Sequence, residues 1–461
     1  MQRIKRFLSK RYSRQRPELS APGPTPTNPP ASTSTDAVAS YRGSVNLSRI
    51  ERLPFEIRNE ILLAVDSIAD LSSVVHASPT FYQQFRLDRA FWLWHCLKQE
   101  LGNVLVDAYT VDLLNKTEFQ STRTRQKVLL YVEDYKHQRS EGIESLAQPP
   151  EEDVIRITSF HASAIRYLMQ EYTAWTHANL EGLSEPKGLS STETRRIARG
   201  LYRFQIFCSL FGPASGGDNY FYDDMILNAD RRLQQLLDLY EAWEIEEILC
   251  INAFVHAKYR PLLEQVEWDL NPDNPSFDDK RSGPYTPPGA FPLASRFGDY
   301  YRNGIVCRGL SVLFAALEIP SHAELVKLIA DNVVSVEDDM IPETTRPYHQ
   351  DTRRDNHYSD RDKAQDNRER MSFEGEGYES PPFAWVVFWR ELYSNLYGDY
   401  IPASFRPWGY VMWDKDRLVN TGAVVIIDRE WNAMCNRLSD QVGMEDPRDE
   451  WWALDDVSRT S

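Results

Sequence analysis

The side chains in this chain that could do chemistry are scattered rather than grouped. Asp223 and Asp224 stand side by side, the way helical magnesium-dependent enzymes present carboxylates to a metal. Such a site needs a third acid one turn later, and Met225, Ile226, Leu227 and Asn228 follow instead. The pair therefore reads as acids at a helix N-terminus, where the helix dipole favours them. Glu244, Glu246 and Glu247 read as the solvated face of a helix. His161 and His177 flank one long predicted helix, with no carboxylate at ligand spacing, and read as satisfied or surface histidines. The five cysteines, Cys96, Cys208, Cys250, Cys307 and Cys435, are odd in number, and no two have metal or disulfide spacing. They read as reduced, mostly buried thiols of an intracellular protein.

Catalytic motifs are missing as well. The sequence has no G-x-x-x-x-G-K-[ST] loop, H-E-x-x-H, C-x-x-C or G-x-S-x-G. The glycines from Gly212 to Gly217 have no Lys-Ser/Thr behind them and read as a turn after a helix. The expectation is a protein without catalytic residues, cofactor or metal, with a helical enzyme as a remote alternative. A net charge of −16, from 52 basic and 68 acidic residues, argues against nucleic acid as a partner. No run of eighteen apolar residues exists to cross a membrane, and no secretory segment opens the chain. Trp385, Trp389, Trp408, Trp413, Trp431, Trp451 and Trp452 crowd the C-terminal part. Core packing is their default reading and a peptide-binding groove the alternative.

The fold expected from apolar periodicity is mainly α: an N-terminal module of three to four helices, then an all-helical domain with disordered insertions. Residues 1–46 form a basic, Pro-rich disordered tail. Its first sixteen residues fit a solvated tail, a nuclear-localisation patch or a mitochondrial presequence. Helices are expected near 122–138, from Asp153 past Trp175, from a Ser190/Glu193 capping box to Gly212, over 226–257, over 300–317 and from Ser321 to Val334. Together, residues 102–334 make one helical domain. Residues 335–382 are charged, poor in large apolar groups and expected to be a disordered insertion. Residues 383–461 carry the Trp-rich remainder, where Val424, Val425, Ile426 and Ile427 suggest a short strand. No internal repeat appears.

Residues 47–101 are the clearest stretch. Leu53 precedes Pro54, whose fixed φ suits the first helical position, and Glu56 lies in the first turn. Ile57, Ile61, Leu62 and Val65 then recur at helical steps. Asp70 can cap a second helix bearing Leu71, Val74 and Val75; Ser78 can cap a third bearing Phe81, Tyr82 and Phe85. A fourth carries Phe91, Trp92, Trp94 and Leu97, stopping near Gly102.

The set Leu53, Pro54, Glu56, Ile57, Ile61, Leu62, Leu71, Ser78, Phe81, Phe85 and Trp92 resembles the F-box, in the form found in F-box-like proteins of filamentous fungi. One departure is Phe81-Tyr82, where the family often has a basic-aromatic pair. The segments Leu201 to Gly212 and Trp408 to Asp414 also look like segments of uncharacterised fungal F-box-like proteins. The resemblance implies docking on a Skp-type adaptor, and thereby a cullin, through Leu53, Pro54, Ile57, Ile61, Leu62, Leu71, Val75, Phe81 and Trp92. It further implies that the helical domain selects an unknown protein for ubiquitination, in the cytoplasm, the nucleus or both. A scaffold that keeps the fold without serving a ligase is the alternative.

Overall fold

The computed structural model describes residues 48–180, 188–213, 227–283 and 285–442. The basic tail, Asp223-Asp224, most of the glycine turn, Trp451-Trp452 and the Cys435 side chain lie outside the described residues. The architecture is mainly helical. Among the described residues there is no strand, only one antiparallel bridge between Arg370 and Leu392.

Four short helices open the chain: α1 (Phe55–Leu63), α2 (Ile68–Ala77), α3 (Pro79–Leu87) and α4 (Arg89–Leu101). Helix α2 is capped by Ser67, whose hydroxyl accepts from the Asp70 backbone N–H, so Asp70 sits inside the helix rather than at its cap. Ser78 caps α3 as its position before Pro79 suggests. Asp88 caps α4. Helix α5 (Val104–Leu114) follows, and it is buried nearly all round. A helix buried on nearly every side, with acids such as Asp107 and Asp112 among its apolar residues, shows no amphipathic period, so sequence periodicity could not locate it.

Next come α6 (Thr117–Ser121), α7 (Arg125–Glu141) and α8 (Glu151–Phe160). A π-helical turn over His161–Ile165 links α8 to α9 (Arg166–Asn179), a single local widening of an otherwise long helix. Helix α10 (Ser191–Phe211) begins with the expected capping box, in which Ser190 accepts from Glu193 N and Glu193 from Ser190 N. The helix expected over 226–257 is instead α11 (Ala229–Gln235), a 3-10 turn over Leu237–Leu239, and α12 (Ala242–Val266). A second capping box, Glu241 with Glu244, restarts the chain there.

Helices α13 (Gly298–Val306) and α14 (Leu310–Glu318) are separated at Gly309, and α15 (His322–Asn332) follows. Gly309 has φ +80°, and a Cβ there would stand 2.6 Å from the Gln205 amide oxygen. One continuous helix over 300–317 is thereby excluded.

Residues 335–382 are corrected most. Instead of a disordered insertion they hold α16 (Met340–Thr344), α17 (Pro347–Asn356) and α18 (Asp360–Asp366). Few apolar groups are needed because polar contacts anchor them. Arg353 NH2 donates to Asp362 Oδ1 at 2.9 Å in a buried pair, Arg232 Nε donates to Thr344 Oγ1 at 2.9 Å, and Arg361 donates to the Asp238 and Tyr240 carbonyls. Composition predicts disorder when apolar burial must supply all the order, and here it does not.

The chain ends in α19 (Phe383–Phe388), α20 (Lys415–Asn420) and α21 (Ala423–Val442). The short strand expected at 424–427 lies inside α21. Ala423, Ile427 and Trp431 are buried while Val425 is exposed, which is a helical period of four. Helix α10 runs through the centre, packed on α5 and α12, and one hydrophobic core joins it to both ends of the described chain. No helix among the described residues is long and apolar enough to cross a membrane.

Candidate functional site

The nine residues named for adaptor docking divide by burial. Leu62, Leu71, Val75, Phe81 and Trp92 are buried inside the chain and hold the four helices together. Pro54 and Ile57 are exposed, and Leu53 and Ile61 are half-buried. Only this second group can meet a partner in this fold.

Other exposed apolar side chains join them. Ile50 is 55 % exposed, Phe55 44 % and Ile57 47 %, and Tyr82, Leu87 and Phe91 are exposed as well. These six fall between residues 50 and 91, whereas the other eight exposed large apolar side chains among the described residues are spread from Leu130 to Val425. The concentration is local to the first four helices. Periodicity marked α1 as amphipathic, but it could not say that Phe55 and Ile57 would find no cover.

Polar contacts hold this face in shape. Gln84 on α3 donates to the Phe55 carbonyl at 3.1 Å and accepts from Arg58 Nε at 2.9 Å. Arg58 also donates to the Glu51 carbonyl, and the Ser78 hydroxyl donates to Glu51 Oε1 at 2.6 Å. Helices α1 and α3 are thus tied by side chains that sequence spacing alone does not connect.

Glu100 joins this module to the rest. Its carboxylate accepts from Ile68 N at 2.9 Å, from His161 Nε2 at 3.2 Å and from Arg166 at 3.4 Å. Burial pushes the carboxyl up, but the His161 hydrogen bond, its charge and the other donors hold it at about 2. His161 is therefore satisfied as expected; its Nδ1 pairs with Tyr202 Oη at 3.0 Å. His177 stacks near Trp413, and its Nε2 is buried with no hydrogen-bond partner among the described residues.

The reading of Glu244, Glu246 and Glu247 as a solvated face is overturned: all three are buried. Arg199 and Arg203 on α10 point into the protein as counterparts of Glu244 and Glu247. Arg199 donates to both Glu247 oxygens, at 2.7 and 2.5 Å, to Glu244 at 2.9 Å and to the Tyr378 carbonyl at 2.8 Å. Arg203 reaches Asp107 at 3.2 Å and Glu244 at 3.0 Å, with its guanidinium over the Tyr240 ring. Tyr135 donates to Asp107, and Tyr240 donates to Tyr135. Glu246 pairs with Arg406 through two bonds of 3.1 Å.

Burial pushes Glu244 up, yet Arg203, Arg199 and Arg139 pull it far below the usual carboxylate range. For Glu247 burial outweighs Arg199, and its carboxyl stays raised. The signal that sequence reading passed over is a run of arginines on an apolar helix, with matching acids on another.

This network consumes its charges in pairs and offers no nucleophile. Burial raises Cys96 and Cys307 to about 12 and pushes Cys208 and Cys250 further up, so these thiols stay protonated. No group of three His, Cys, Asp or Glu side chains fit to hold a metal occurs among the described residues. Trp385, Trp389, Trp408, Trp413 and Trp431 are buried, as their default reading has it, and all but Trp413 pack edge to face on other aromatic rings. Comparison of the chain with family models, curated proteins and solved structures finds no match.

Proposed function

We propose that the first four helices dock a Skp-type adaptor in the manner of an F-box. On this reading the chain is a non-catalytic receptor subunit of a ubiquitin ligase, working in the cytoplasm, the nucleus or both. The helical body would select the protein to be ubiquitinated. The observation that carries the proposal is the concentration of exposed apolar side chains at Ile50, Pro54, Phe55 and Ile57, beside half-buried Leu53, on helices whose Leu62, Leu71, Val75, Phe81 and Trp92 are already buried within the chain. Water gains little from leaving such side chains open, and contiguous apolar exposure marks interaction surfaces.

Covering the remaining exposed half of Ile50, Phe55 and Ile57 is worth about 1 kcal/mol each before association costs. The experiment is co-precipitation with the adaptor. Wild type should bind, the double variant Phe55→Asp with Ile57→Asp should not, and Leu130→Asp, exposed on a distant helix, should bind as wild type does. No binding by wild type, or equal binding by the double variant, sinks the proposal. Adaptor binding without recruitment of a cullin favours the scaffold reading instead.

A further inference from the structure

At the start of α10, three carboxylates and two guanidiniums meet from three parts of the chain. Arg196 is fully buried, and its two terminal nitrogens hold different acids: NH1 donates to Asp414 Oδ1 at 3.1 Å and NH2 to Glu376 Oε2 at 2.8 Å. Its Nε is buried with no partner among the described residues. Asp414 also accepts from the Ser190 hydroxyl, and its backbone N–H donates to Glu193 at 3.2 Å. Arg417 on α20 binds both oxygens of Glu193 at 2.6 Å. The Lys415 backbone N–H donates to Glu376 at 2.7 Å, while its ammonium lies over the Phe373 and Phe383 rings, away from the acids. His177 on α9 lies beside the Trp413 ring; burial and the Arg417 charge hold its imidazole below the usual value, against the pull of Glu193.

The arithmetic of charge is unbalanced. Among the described residues, Glu193 is matched by Arg417, which leaves Asp414 and Glu376 to divide one guanidinium. Two carboxylates on a single buried cation favour taking up one proton.

We propose that this cluster is a proton-sensitive latch, which seats residues 408–417 on the first turns of α10 more firmly when the Asp414 carboxyl carries a proton. The direction of the Asp414 carboxyl agrees. Burial pushes it up, the Ser190 hydroxyl draws it down, and Glu376 pushes it up again, to about 6. The folded form therefore holds a proton that the unfolded chain, with its ordinary aspartate, gives up near 4. Stability from this group is complete below that lower value and is lost as pH rises through about 6. The latch loosens toward neutral pH and tightens on mild acidification. It depends on neither adaptor nor client, so its failure would leave the docking proposal standing.

Amide hydrogen exchange of the full chain tests it, read at residues 190–200 and 408–420 from pH 4 to 8. Wild type is compared with Asp414→Asn at each pH, so that the intrinsic pH dependence of exchange cancels. The expected result is equal protection near pH 4. Between about 4 and about 6, where only the closed form holds the proton, the wild type should open progressively more than the variant, by up to roughly tenfold per pH unit, the limit for one proton, and the ratio should level off above about 6. Glu376→Gln should remove the same dependence. A wild-type-to-variant ratio that does not change with pH overturns the latch. So does lower protection in Asp414→Asn at every pH, which would mean that the carboxylate charge is needed to hold Arg196.

Discussion

Removing Arg199 should damage this protein more than removing any one surface charge, and its partners say by how much. Arg199→Met keeps most of the apolar stem but strips Glu247 of two charged donors, Glu244 of one and the Tyr378 carbonyl of its partner. Leaving one buried charge without its counter-ion costs about 3–5 kcal/mol. Glu244 keeps Arg203 and Arg139, so its loss is partial. The expected total is about 4 kcal/mol, a large share of the ~5–15 kcal/mol that domains have in all. Glu247→Met should cost about 2–3 kcal/mol, because Arg199 keeps Glu244. The double variant should cost less than the sum, since both charges leave together; a coupling of at least about 2 kcal/mol is expected. Urea unfolding at pH 7.5, followed by circular dichroism and tryptophan fluorescence, gives each value by linear extrapolation. A loss below about 1 kcal/mol for Arg199→Met, or additive effects in the double variant, would refute the account of a charge-paired core.

Three further outcomes follow from the geometry. Glu100 sits well below its unfolded value, so it contributes stability that is present above about 4.5 and lost as pH falls toward 2. Acid titration of wild type against Glu100→Gln should show a difference of order 3 kcal/mol at neutral pH that vanishes near pH 2. Asp362→Asn breaks the Arg353 pair that anchors α17 to α18, and limited proteolysis should then cut within residues 340–370 several-fold faster than in wild type. Gly409→Ala should destabilise by about 1–3 kcal/mol in thermal melts, because φ is +65° and a Cβ would lie 2.4 Å from Tyr172 Oη.

Much of the helical organisation was legible along the chain. The Ser190/Glu193 capping box, the Ser78 cap and the stripe from Ile197 to Phe211 are local features, written within a few residues of where they act. Leu62, Leu71, Val75, Phe81 and Trp92, the five docking candidates that are buried, were legible as apolar, but not as internal, because a helical stripe looks the same whether it faces its own core or a partner. Helix α5 escaped for the opposite reason: buried on nearly every side, polar residues included, it has no apolar stripe to detect.

By itself the sequence determined the mainly helical class, the caps and breaks, and the absence of recognised catalytic motifs. These depend on spacing between near neighbours, which one dimension preserves. Tertiary structure alone decided which charges are buried and which apolar groups stay bare. Glu244 and Glu247 look solvated until α10 brings Arg199 and Arg203 against them, and residues 335–382 look unstructured until Arg353 meets Asp362. The cost of burying a charge is set by its partner's distance, and that distance exists only after folding.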